Sequence, residues 1–333
     1  MMIVPTYWAE GRAQYRREGK QITIRRFGWS DASQEDAQNN AQTRADEALA
    51  RAVSGQPLPR REPKVPYNGA NGVPIREEVV ARHGETVITR NAYGARCLNS
   101  PDVLFADIDF PEGPSSRIYW RSVLFLLAVS AVFAYLIFAA KGVAAMWISG
   151  AIGAVLSLIL AFPMSNRIYR RMIRAQGGPE AMARANVLRF VSSRPDWLVH
   201  LYRTPAGMRV LATHRLFDPL EAEVAECFRE LETDRLYVAM CLNQHCFRAR
   251  VSAKPWRVGI EEHIKPRPGV WPVSPERLPA RRAWLARYDS AAAGFAACRF
   301  IESIGSGVSV PAALAVQRLH DELCQARSEL PIA

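Results

Sequence analysis

Charge is missing from two long stretches of this chain. No residue between Arg121 and Lys141 carries a formal charge, and none does between Lys141 and Arg167. Each run is close to the ~20 apolar residues that cross a hydrocarbon core of about 30 Å. Two such runs in succession, with arginine at both outer ends, argue against a buried helical hairpin in a soluble core. Lysine is scarce too: of 43 basic residues, only Lys20, Lys64, Lys141, Lys254 and Lys265 are lysines. The net charge of +11 therefore carries two readings. One is attraction to an anionic neighbour such as lipid headgroups, nucleic acid or nucleotide phosphates. The other is the arginine-rich and alanine-rich usage of a GC-rich genome. There is no internal repeat and no Walker-type phosphate loop. Met1 to Ala9 holds no apolar core of its own, so a cleavable signal peptide is not expected. The cysteines are scattered, and a disulfide framework is not expected of them in a reducing compartment. Cys241, His245 and Cys246 form the one local cluster, but no second ligand pair follows it, so packing within a helix is the expectation there.

What is present is organised around residues 117–174, read as a transmembrane helical hairpin with its turn at Lys141-Gly142. The first helix is apolar all round, as a lipid-facing helix is. Tyr119 and Trp120 sit at its start, where amphipathic rings favour the headgroup layer. The second is expected to end near Pro163. Its small residues Gly142, Ala145, Ser149, Gly150, Gly153, Ala154 and Ser157 would let two backbones approach closely. Arg117 and Arg121 precede the hairpin, Arg167, Arg170, Arg171 and Arg174 follow it, and only Lys141 lies at its tip. The positive-inside rule then predicts a bacterial inner (plasma) membrane protein with both termini cytoplasmic.

Residues 1–61 read as a small β-β-α arm. Two strand-like runs flank a turn at Arg17-Glu18-Gly19, and Ser33 caps a helix from Gln34 to Val53 with Gly55 just beyond it. Arg16, Arg17, Lys20, Arg25 and Arg26 of this arm either contact phosphates or form a solvated face. Residues 62–116 begin with a proline-rich crossing and continue as strands: Glu77–His83, a run from Glu85 to Leu98, and Leu104–Phe110. Residues 175–270 supply a short helix over Glu180–Val191, a hairpin of strands at Trp197–Tyr202 and Met208–His214, helices over Asp218–Leu231 and Asp234–Cys246, and a basic strand from Phe247. Residues 271–333 read as a helical segment, with helices over Arg281–Ile304 and Val310–Arg327. The fold class is α+β: a cytoplasmic mixed domain interrupted by a helical transmembrane hairpin. Neither half alone has enough strands for a sheet core, so strands from both are expected to join one sheet.

Three motifs could carry chemistry. Asp107-Ile108-Asp109 ends a hydrophobic strand, and alternate strand residues share a face. Two carboxylates so placed suit Mg²⁺ or Mn²⁺, which favour hard oxygen ligands and leave room for phosphates; solvated or arginine-paired aspartates are the alternative. Thr204 to Arg209 forms a tight turn in which Gly207 lets backbone N–H groups approach a phosphate, or simply closes a hairpin. Arg248, Arg250, Lys254 and Arg257, with Phe247 and Trp256 interleaved, suit phosphates and stacked bases, or a solvated or lipid-facing basic edge.

The order of these motifs resembles the catalytic core of archaeo-eukaryotic primase-type nucleotidyltransferases. The resemblance implies metal binding at Asp107 and Asp109, and phosphate contact through the Thr204–Gly207 turn. Arg209 stands where that family has a histidine, and Asp218 is the nearest candidate for its later aspartate. A D-x-D after a hydrophobic strand also resembles nucleotide-sugar glycosyltransferases, although their nucleotide-binding βα half is not evident before Asp107. The whole chain resembles bacterial two-helix membrane proteins. Three functions are open: a non-catalytic membrane-tethered protein binding nucleotide, nucleic acid or a protein partner through its basic surface; a metal-dependent nucleotidyltransferase; and a glycosyltransferase.

Overall fold

The computed structural model describes residues 2–17 and 20–333. It divides into two compact units, one formed by Met1–Ile108 with Leu188–Ala333, the other by Asp109–Val187.

The first unit opens with the arm. Strands β1 (Tyr7–Arg17) and β2 (Lys20–Ser30) pair antiparallel, and helix α1 (Gln34–Val53) packs on one face of them. Glu18 and Gly19 of the expected turn lie outside the described residues. Ser33 caps α1 as its position predicts: its hydroxyl accepts from the Asp36 N–H at 3.0 Å. Ala37, Ala41, Ala45 and Ala48 are the buried stripe of the helix. They meet glycines. A Cβ at Gly11 or at Gly28 would stand 2.1 Å from Ala41 backbone atoms. A wide sheet-helix interface built from alanine and glycine allows closer backbone approach than larger side chains would.

Two four-stranded sheets follow. One has the order β3 (Glu78–His83), β4 (Thr86–Arg90), β5 (Arg96–Ser100), β9 (Phe247–Arg250). The other has the order β10 (Arg299–Gly305), β7 (Leu198–Arg203), β8 (Gly207–Ala212), β6 (Phe105–Asp109). Strands from before and after residues 117–174 do pair, but in two sheets rather than the expected one. The run from Glu85 to Leu98 divides into β4 and β5 because Gly94, at φ 103°, turns the chain between them. Every residue of β8 is buried.

Helices α4 (Pro179–Ser192), α5 (Ala222–Glu230) and α6 (Arg235–Gln244) stand close to the expected segments. Asp234 caps α6, and its own N–H donates to the Asp107 carbonyl at 3.1 Å. The C-terminal segment departs from expectation. The helix expected over Arg281–Ile304 is instead α7 (Leu278–Ala292) followed by β10, an edge strand paired antiparallel with β7. Helix α8 (Pro311–Cys324) then closes the chain.

The second unit is dominated by two helices long and apolar enough to cross a membrane, α2 (Ser116–Lys141) and α3 (Val143–Ala175). At 1.5 Å per residue, 26 residues of α2 extend about 39 Å. Phe133, Tyr135, Ile148 and Trp147 are each more than 60% exposed, a face that water would penalise and acyl chains would not. Gly142 makes the turn between the helices at φ 85°. α3 runs on through Pro163 rather than ending near it. Proline removes one N–H donor without forbidding a membrane helix. The small-residue packing takes a definite form: a Cβ at Gly153 would stand 2.8 Å from Ser130 Cβ, and the Ser130 and Ser157 hydroxyls lie 3.2 Å apart.

Candidate functional site

Two groups of polar residues in the first unit stand apart from ordinary surface. The first is centred on Arg209, in the middle of buried β8. Its side chain is 2% exposed. The guanidinium donates to both carboxylate oxygens of Asp107, Nε to Oδ1 at 2.7 Å and Nη2 to Oδ2 at 3.2 Å. Nη1 donates to the Arg250 carbonyl at 3.0 Å and lies 3.3 Å from His320 Nε2. Burial opposes the charge on Arg209, but the Asp107 carboxylate outweighs it and raises the pKa well above the usual arginine value. Asp107 is thus an ion-pair partner, and it would hold a cation only on releasing Arg209. Asp109 ends β6 at an exposed position.

Next to Arg209, α8 and the start of β10 assemble a buried cluster that the sequence reading does not contain. Cys298, His320 and Cys324 each offer a ligand atom, and these atoms lie within 4.8 Å of one another. His320 and Cys324 are one helical turn apart on α8, and Cys298 immediately precedes β10. His320 Nε2 is 3.8 Å from Cys298 Sγ, and its Nδ1 is 3.1 Å from Asp321 Oδ1. Asp321 also pairs with Arg327 at 3.2 Å. Tyr202 and Phe105 enclose the imidazole, with ring centroids at 4.8 Å and 5.4 Å. A hydrogen bond from Cys324 and the His320 charge hold the Cys298 thiol well below its usual pKa, while burial pushes Cys324 up. Burial lowers the His320 pKa, but Cys298 and Asp321 together raise it above the usual histidine value. Sequence spacing hides this cluster. Its one local signal is the His-x-x-x-Cys pair on an amphipathic helix. Among the described residues no other His, Cys, Asp or Glu group converges in this way; Cys241, His245 and Cys246 do not.

The second group is the face of the arm opposite α1. Arg12 and Arg25 are register partners on β1 and β2, and side chains alternate, so both point away from the helix. The chain around residues 60–61 runs beside β2, where the Arg25 N–H donates to the Arg60 carbonyl at 3.0 Å. Arg12, Arg25, Arg60 and Arg61, with Gln21 and Thr23, line an open cleft of about 400 Å³. One acid, Glu10, reaches Arg25 at 3.3 Å. Arg16 is exposed on the same strand face as Arg12. Arg26 is not part of this surface. As the neighbour of Arg25 it faces the helix side, is buried, and donates to the Pro59 carbonyl at 3.0 Å. The side chains of Arg17 and Lys20 lie outside the described residues. Arg12, Arg60 and Arg61 are not among the residues the sequence singles out, although alternation along β1 from Arg16 reaches Arg12.

The remaining candidates are dispersed. Arg248 is buried against Glu77, with Nη2 at 2.6 Å and 2.8 Å from its carboxylate oxygens. Thr89 donates to the same carboxylate at 2.7 Å. Arg250 contributes its carbonyl to Arg209, while its side chain is half-buried. Lys254 lies over the Trp256 ring at 5.4 Å from its centroid, and Arg257 is in the short helical turn that follows. In the Thr204–Gly207 turn, the Thr204 N–H donates to the Gly207 carbonyl at 2.9 Å. Arg203 donates to that carbonyl and to the Thr204 carbonyl. Thr204 and Gly207 are both buried, so this turn closes on itself. The structure therefore joins Asp107, Arg209 and the Arg250 backbone in one network and leaves Arg248 in another.

Comparison of the chain with protein-family models, with curated proteins and with solved structures finds no match.

Proposed function

We propose that this chain is a membrane-anchored protein whose first unit faces the cytoplasm and binds an anionic partner, the phosphates of a nucleic acid or nucleotide, through its arm. The observation that carries the reading is the cleft of Arg12, Arg25, Arg60 and Arg61, four guanidinium groups among which Arg25 pairs with Glu10 at 3.3 Å. Planar guanidinium forks suit phosphate oxygens, and a sheet face presents them at fixed spacing. The other prominent arginines, Arg209 and Arg248, are occupied in buried ion pairs. Arginine on both outer flanks of residues 117–174 supports an inner-membrane location with both ends cytoplasmic.

The test is binding of a labelled DNA oligonucleotide to the detergent-solubilised full chain over a range of salt. Each phosphate contact contributes a slope of about −0.9 for duplex or about −0.7 for single strands in log K against log salt. Replacing Arg12, Arg25, Arg60 and Arg61 together by glutamine should weaken binding at least tenfold and flatten that slope, while Asp109→Asn leaves both unchanged. Binding that ignores the four arginines removes this reading. Mn²⁺-dependent binding of a nucleoside triphosphate, lost with Asp109→Asn, would favour the nucleotidyltransferase alternative.

A further inference from the structure

We infer that Cys298, His320 and Cys324 form a structural site for a single Zn²⁺ ion that fastens α8 to the edge of the β10-β7-β8-β6 sheet. Two thiolates and an imidazole suit zinc far better than the hard cations expected at carboxylates. With Zn–S near about 2.3 Å and Zn–N near about 2.0 Å, the edges of a tetrahedral site are about 3.5–3.8 Å. The separation of Cys298 Sγ and His320 Nε2 is 3.8 Å, and all three donor atoms already fall within 4.8 Å.

Asp321 at His320 Nδ1 fixes the tautomer that leaves Nε2 facing the cysteines, the arrangement metal-bound histidines commonly have. Charge balance follows from the neighbours. Arg209 is matched by Asp107 and Asp321 by Arg327, so a doubly charged cation with two thiolates leaves the buried region neutral. Arg209 Nη1 stands 3.3 Å from Nε2 and would lose that acceptor, but it keeps the Arg250 carbonyl at 3.0 Å and gains thiolates to donate to. The same carbonyl lies 3.8 Å from Cys324 Sγ. Cys298, His320 and Cys324 are fully buried, which fits a closed structural site rather than an open catalytic one.

The experiment uses the full-length protein in detergent, stripped of metal under reducing conditions and titrated with Co²⁺ and then Zn²⁺. The expected result is one equivalent bound, with thiolate-to-cobalt charge-transfer bands that Zn²⁺ abolishes. Cys298→Ser with Cys324→Ser should remove the bands, and Cys241→Ser with Cys246→Ser should not. X-ray absorption on the unaltered zinc-loaded protein gives an answer even if the first variant fails to fold: two sulfurs at about 2.3 Å and a nitrogen at about 2.0 Å are expected. A shell of nitrogen and oxygen alone, bands lost with the Cys241 and Cys246 variant instead, or no cation held by the fully reduced chain would each overturn the assignment.

Discussion

Arg209 shows how one residue can set the terms for a region. It is buried in the centre of a sheet, where an isolated cation would be intolerable, and its guanidinium is satisfied from β6, from the Arg250 carbonyl and from α8. Removing one member of such a pair leaves the other charged and buried, which typically costs about 3–5 kcal/mol. Asp107→Asn should therefore lower the stability of the first unit by an amount of that order in denaturant unfolding. The double variant Asp107→Asn with Arg209→Met should recover part of the loss, because it removes the stranded charge. Equal stability of Asp107→Asn and the unaltered chain would mean that the pair is not what holds the region together. The sequence offered Asp107 as a metal ligand and Arg209 as a phosphate contact. Pairing of the aspartates with arginine is the alternative the sequence leaves open, but Arg209 as the partner is not legible in it, since the two residues are 102 positions apart and only the β6-β8 pairing brings them together. Cys298 and His320 were missed for the same reason: chemistry assembled by tertiary contact leaves no local spacing to read.

At the scale of elements, legibility follows how much of an element's cause is local. The arm is legible because Ser33, the alternation of β1 and β2, and Gly55 after the helix are all local signals. The strand β10 was read as helix because Ala-rich sequence runs up to it and its strand character comes from pairing with β7. Gly294, just past α7, marks the break in retrospect. α3 outlasts Pro163 because the residues after it remain good helix formers and a single missing N–H does not end a helix. The arm's own stability rests on backbone proximity. Gly28→Ala places a methyl group 2.1 Å from an Ala41 backbone atom, and neither the strand nor the helix can yield without separating. Overpacking of this kind costs about 1–3 kcal/mol or more. Hydrogen exchange should show faster exchange across α1, β1 and β2 in this variant, with the other sheets unchanged. Unaltered protection of α1 would contradict the packing described.

At the scale of the whole molecule, the second unit carries two helices long and apolar enough to cross a membrane. Residues 117–174 were read as an apolar hairpin from their missing charges alone, and α2 and α3 show that exposed apolar surface along their length. The halves of the chain on either side of this insertion share sheets: β9 pairs with β5 and β6 neighbours β8. A membrane-spanning hairpin in a chain that completes its sheets only after it would need both flanks in one compartment, which supports the topology proposed above. The proposed cytoplasmic arginine cleft depends on it as well. The most direct test places a cleavable tag at each end and adds protease to inside-out vesicles of a bacterial inner membrane. The account predicts that both tags are cleaved while residues 117–174 stay in the membrane fraction after alkaline extraction. Protection of either tag, or release of the chain by that extraction, would contradict it.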